Sequence, residues 1–263
     1  MWWRESFSPL PALHFLRTCT YAHLDPTLWD SHLWLYGDME RGLGRFAGWR
    51  DQGRLFVHEA DAAVGGIALL TDSTVLLDTR SPDVPVTSWL SDIVKRRNDG
   101  VSVEAGHQHV ADAVAEIPGA VLTGTHVRLF TCAPAATVHP AGEELFAGRG
   151  YRFWRNWESL DALLGVGYRV FGLRGDDGEM WANAGLWPLS VRRSDLVMVG
   201  TDPRHFRKGY ASAVAALALK SGVDCARMVT WGTELSNEAS IGVARKLGFR
   251  ELVAVRHLTV AAQ

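Results

Sequence analysis

Arg207, Lys208 and Gly209 stand between an apolar run, Asp195 to Thr201, and an Ala-rich stretch, Tyr210 to Ala218. This spacing predicts a strand that yields to a helix through a short basic loop. Backbone N–H groups at such a helix start lack intrahelical partners, and the helix dipole adds partial positive charge. The chemistry on offer is anion binding, above all of a phosphate or pyrophosphate. Gly209 permits a close backbone approach, and Ala211 and Ser212 keep the first helical turn slim. Taken alone, two basic residues before a glycine also describe a solvated turn. A second stretch, Asn237 to Phe249, has Asn237 or Ser236 as N-cap and Ile241, Ala244 and Leu247 on one face. Gly248 then stops the helix before a strand.

The elements that must position these residues follow from periodicity. Strand-like runs cover Arg54 to Glu59, Ala63 to Leu70 and Thr74 to Leu77, with Gly65-Gly66 as a bulge or close-approach point. Helical spacing covers Thr87 to Arg97, ending near Asn98-Asp99-Gly100, and then His107 to Ile117. Ala120 to Cys132 is β-branched and reads as a strand. Glu143 to Ala147 and Trp157 to Leu164 read as short helices. Tyr168 to Leu173 and Met180 to Pro188 read as a hairpin across the turn Gly175-Asp176-Asp177-Gly178. Strands follow at Arg227 to Trp231 and Glu251 to Leu258. The first fifty residues read as helical and aromatic-rich, with Trp29, Trp34, Leu35, Tyr36 and Trp49 packing on a sheet or lining a small-molecule pocket. The expected fold is α+β, a mixed and mostly antiparallel twisted sheet flanked by helices. The boundary is expected in the Pro- and Ala-rich segment 133–142, giving units 1–135 and 136–263.

Bulk properties exclude several classes. The 263 residues carry 27 Lys and Arg against 29 Asp and Glu, a net charge of −2, which gives no bulk attraction for nucleic acid. Cys19, Cys132 and Cys225 are far apart and form neither a disulfide framework nor a zinc motif. His107 and His109 are two apart and point to different sides of a helix, so no metal is expected. No membrane span or signal peptide is expected, because the apolar N-terminus is broken by Arg4, Glu5, Pro9 and Pro11. A cytoplasmic protein, monomeric or homodimeric, is the expectation.

Phe206-Arg207-Lys208-Gly209-Tyr210-Ala211, followed by Asn237, Ser240, Lys246, Gly248 and Phe249, resembles the GCN5-related N-acetyltransferase (GNAT) superfamily. Within it, the FR47-like and ZmaR-like branches look most similar, and those carry an additional N-terminal half. The resemblance covers roughly residues 143–263 and implies a degenerate GNAT-like unit in 1–135. It implies that acetyl-CoA is the cosubstrate and that its pyrophosphate lies on the loop N–H groups of Phe206 to Ser212. Its pantetheine would pair with Val199, Gly200 and Thr201, with Asn237 and Ser240 as further contacts. The implied activity is transfer of the acetyl group to a primary amine of a small molecule, in a pocket between the two halves. The alternative is a non-catalytic acyl-CoA-binding or sensor protein.

Two positions depart from the family's pattern. Phe206 replaces an Arg or Gln, leaving Arg204 and Arg207 to supply charge. Ala244 stands where the family often has a Tyr that protonates the leaving thiolate, with Tyr210 near in sequence only. Amine attack on a thioester profits from a base. Asp195 is the first candidate, or else a solvated strand-end residue, and Glu234 is the second. A phosphate-loop NTPase or dinucleotide enzyme is excluded by the lack of GxxxxGK[ST] and of GxGxxG after a strand.

Overall fold

The computed structural model describes residues 3–5, 54–60, 63–70, 74–79, 82–97, 99–133, 138–149, 151–153, 160–165, 167–188, 193–225 and 228–262. Trp29, Trp34, Leu35, Tyr36, Trp49, Trp157 and Cys19 lie outside the described residues. The chain divides into two compact units, one of residues 1–127 with 253–263, the other of 128–252. This division falls earlier than the 135/136 boundary expected from composition, and it assigns the last residues to the first unit.

In the first unit β1 (Trp3–Glu5) pairs antiparallel with β2 (Arg54–Ala60), so the start of the chain is strand where helix was expected. β2 forms a hairpin with β3 (Ala63–Leu70), and the register slips where His58 faces Gly66 and Glu59 faces Val64. Gly65 is the extra residue of that bulge, as anticipated. β4 (Thr74–Thr79) follows antiparallel. Helix α1 (Val86–Lys95) then buries Val86, Leu90 and Val94, one apolar stripe at four-residue spacing. It leads into β5 (Val101–Ala105), parallel to β4. Sequence reading passed over β5, although Val101, Val103 and Ala105 alternate into the core. Helix α2 (Gln108–Ala115) and strand β6 (Ala120–Thr131) complete the series.

In the second unit β7 (Glu143–Leu145) is a strand, not the expected helix. It pairs with β9 (Arg169–Arg174), and Leu145 is buried there against Val170 and Met180. β8 (Arg152–Phe153) runs parallel to β10 (Glu179–Pro188). Helix α3 (Leu160–Gly165) precedes the β9–β10 hairpin. β11 (Arg193–Thr201) lies antiparallel to β10, and the turn Pro203–His205 leads to helix α4 (Tyr210–Cys225). β12 (Met228–Glu234) is parallel to β11, and helix α5 (Glu238–Lys246) leads to β13 (Arg250–Val260). Two stretches of the chain therefore run hairpin, strand, helix, strand, helix, strand: β2 to β6 and β9 to β13. The far end of β13, from Arg256 to Val260, belongs to the first unit and pairs antiparallel there with β5.

Candidate functional site

β11 is locally one residue too long for its partner. Asn183 faces Gly200 and Gly185 faces Val197, so an extra residue bulges from β11 between them. Met198 takes a positive φ of 55° there. Asn183, fully buried, donates its Nδ2–H to the Met198 carbonyl and so holds the bulge. The other side of β11 changes too. Its parallel register with β12 runs from Arg193↔Met228 to Leu196↔Trp231 and then stops. Val197 to Thr201 and Gly232 to Glu234 thus line a gap between two parted strands.

The loop after Thr201 is pinned from beneath. Buried Asp202 accepts from the Arg204 backbone N–H at 2.9 Å and from Arg204 Nε. Arg204 Nη2 also reaches Glu179 Oε2 at 2.8 Å. The hydrogen bonds from Arg204 hold the Asp202 carboxyl below its usual range, and Asp202 and then Glu179 raise Arg204 in turn. Trp181 lies between its neighbours on the same side, 4.6 Å from His205 and stacked on Tyr210 at 5.3 Å. A Cβ at Gly175 would overlap the Trp181 ring, so that turn admits only glycine. Lys208 Nζ donates to His205 Nδ1 at 3.0 Å. The expectation that Arg204 supplies charge to a ligand is therefore corrected: its guanidinium is engaged by Asp202 and Glu179. Arg207 and Lys208 remain as the exposed cations.

Above this base the backbone turns outward. Arg207 and Gly209 have φ of 63° and 81°, which aims successive peptide N–H groups to one side. His205 N–H and Phe206 N–H are used inside the loop, and the first helical bond is from Ala213 to the Gly209 carbonyl. Between them, the N–H groups from Arg207 to Ser212 meet no acceptor among the described residues. Nothing stands within 4 Å of a Cβ placed on Gly209, so the space over the loop is open. Phe206 is 60% exposed and contributes no charge.

The second motif lies beside the gap. Asn237 caps α5, its Oδ1 accepting from Ser240 N–H at 3.1 Å. Ser240 Oγ accepts from Trp231 Nε1 at 3.0 Å, tying α5 to the last paired residue of β12. Ala244 is fully buried and Gly248, at a φ of 87°, ends the helix. Tyr210, stacked on Trp181, belongs to the loop's footing rather than to the gap.

Asp195 is not a solvated strand end. It is 8% exposed inside β11, accepts from the Thr230 hydroxyl, and lies 3.8 Å from Arg128 Nη1. Glu234 is exposed at the outer end of β12, where its carboxylate accepts from Ser236 Oγ at 3.4 Å. Asn183, Trp181, Glu179 and Arg128 were not singled out from sequence. A lone Asn in the apolar run Met180 to Pro188 was the one available signal. No group of acidic, His or Cys side chains suited to a metal occurs among the described residues, and no described helix is long and apolar enough to cross a membrane.

The parallel pairing of β11 and β12 thus ends beside a row of N–H groups that meet no acceptor among the described residues. Among known proteins, residues 139–249 match the acetyltransferase (GNAT) family. Transfer of an acetyl group from an acyl-CoA is the general activity of that class. Among solved structures, a Drosophila protein aligns over 99% of this chain and 98% of its own, at TM-score 0.66 and 13% identity. A GCN5-related N-acetyltransferase from Sphaerobacter thermophilus aligns over 100% and 96%, at TM-score 0.65 and 14% identity. A tandem GNAT protein from the clavulanic acid biosynthesis pathway aligns over 80% and 83%, at TM-score 0.51 and 13% identity. At these identities the likeness is one of fold. No curated protein matches the chain.

Proposed function

We propose that the chain is an acetyl-CoA-dependent N-acetyltransferase that moves an acetyl group to a primary amine of a small molecule. The observation that carries this is the junction of the β11/β12 gap with the unpartnered N–H row from Arg207 to Ser212. In this proposal the pyrophosphate of acetyl-CoA sits on that row, with Phe206, Arg207, Lys208, Gly209, Tyr210, Ala211 and Ser212 forming the loop. The pantetheine pairs with the open edge at Val199, Gly200 and Thr201, as a strand would. Asn237 Nδ2 and the Ser240 hydroxyl approach from α5.

The amine nitrogen attacks the thioester carbonyl carbon, the C–S bond breaks, CoA leaves as thiolate, and the nitrogen loses a proton. Alignment of the two reactants and a backbone N–H on the developing oxyanion supply most of the acceleration. Asp195, next to the point where the strands part, takes the amine proton directly or through water. Glu234 is the alternative, further out. The thiolate takes its proton from solvent, since neither Ala244 nor Tyr210 supplies an acid at the gap.

A second proposal, a non-catalytic acyl-CoA-binding protein, draws on that same missing tyrosine. Calorimetry with acetyl-CoA, followed by a thiol-release screen of amines, separates the two. Binding with turnover supports the transferase, binding without turnover supports the sensor, and no binding rejects both.

A further inference from the structure

Among the described Lys and Arg residues of the second unit, Arg128 alone has a buried nitrogen left without a hydrogen bond. Its side chain is 22% exposed, and its Nε is buried with no hydrogen-bond partner. Among the described residues its ion-pair partner is Asp195, whose Oδ2 is 3.8 Å from Nη1, beyond hydrogen-bond distance. A guanidinium carries only donors, and its buried Nε–H left without an acceptor is costly. Its position is also built. A Cβ on Gly232 would overlap Arg128 Nη1, so the guanidinium lies across β12 at the first residue beyond the paired stretch.

The face on which it lies follows from register. Val229 would touch a Cβ on Gly222 of α4, and Trp231 bonds Ser240 of α5, so these odd-numbered residues of β12 face the two helices. Thr230 and Gly232 alternate to the opposite face, and Asp195 is the register partner of Thr230. Arg128 and Asp195 therefore share the face away from the helices that carry the cradle, at the apex of the gap. An acceptor reaching the thioester from that side meets one cation and one anion side by side.

We propose that Arg128 binds a carboxylate of the acceptor, and that the acceptor is an α-amino acid or an amine carrying an adjacent carboxylate. The ammonium or amine end then lies toward Asp195 and the carboxylate on the Arg128 fork, a charge-assisted pairing. This deepens the transferase proposal and rests on it.

The test uses the full-length protein with CoA bound and two matched probe series: amino acids and dipeptides, and the same amines lacking the carboxylate (alanine against ethylamine, phenylalanine against phenethylamine). Binding by calorimetry and thiol release with acetyl-CoA are both read, for the native chain, Arg128→Lys and Arg128→Gln. The expected result is a preference for the carboxylate series that falls about 30-fold or more in Arg128→Gln and less in Arg128→Lys. Acetyl-CoA affinity stays within about twofold in both variants, which also reports that they fold. Equal response to both series, or an equal loss for both in Arg128→Gln, overturns the proposal and leaves Arg128 as a structural partner of Asp195. Preferential carboxylate binding without turnover keeps the Arg128 assignment and removes the transferase, whereas absence of acetyl-CoA binding removes the cradle.

Discussion

The chain makes the same kind of turn twice. In the first unit α1 carries the chain from β4 to parallel β5, and in the second α4 carries it from β11 to parallel β12. At the first turn β3 and β4 keep one register from Gly66↔Thr79 to Leu70↔Val75, and β4 stays paired up to Ala105, the last residue of β5. The loop there brings Pro82 and Pro85, which have no N–H, the acidic Asp83, and Val84, which is buried. Pro85 also serves as the N-cap of α1 with no side-chain hydrogen bond. At the second turn the register slips at Met198, the strands part after Leu196, and the loop offers N–H groups, two exposed cations and Gly209. Topology is common to both turns; a one-residue bulge, positive φ at Arg207 and Gly209, and two exposed cations distinguish the second from the first.

Four changes break or sharpen this contrast. Gly209→Glu places a carboxylate over the N–H row at a positive φ, and calorimetry is expected to show acetyl-CoA affinity falling by about 100-fold or more. Gly209→Ala meets no atom within 4 Å, so only backbone strain is added. That strain is about 1 kcal/mol and predicts a loss of about fivefold. Glu179→Gln frees one side of Arg204 and loosens the loop's footing. The expected effect is a KM for acetyl-CoA raised by about threefold with kcat unchanged, in steady-state kinetics. Asp83→Asn in the first unit leaves acetyl-CoA affinity within about twofold by the same calorimetry, because that turn holds no phosphate.

The Asp202–Arg204 pair also sets a pH dependence. The Asp202 carboxyl is depressed below its ordinary range by Arg204, so its contribution is complete above that range. It is lost as pH falls through the depressed value. Thermal melts from pH 6 downward are expected to show native and Asp202→Asn proteins converging only at strongly acidic pH. A constant gap down to pH 2 would show that the pair does not hold the loop.

Much of this was legible from sequence because it rests on local signals. Alternation and helical spacing located β2 to β4, the β9–β10 hairpin, α1, α2, α4 and α5, and the basic glycine loop announced its free donors. The reading failed where segments were short or where partners were distant. Glu143–Leu145 is a strand because Leu145 completes a cluster with Val170 and Met180, which no local pattern reveals. β5 alternates but is only five residues long and follows directly on Asn98-Asp99-Gly100, too short for its period to stand out. The Arg204 lock depends on Glu179, and the Arg128 site on Asp195 and Gly232, pairs that only the fold brings together.

The measurement that tests the contrast most directly is the stoichiometry of acetyl-CoA binding to the native full-length chain, by calorimetry. One site per chain, abolished by Gly209→Glu, is the predicted result. Two sites per chain, or one site that survives Gly209→Glu, would place a cradle elsewhere and contradict the account.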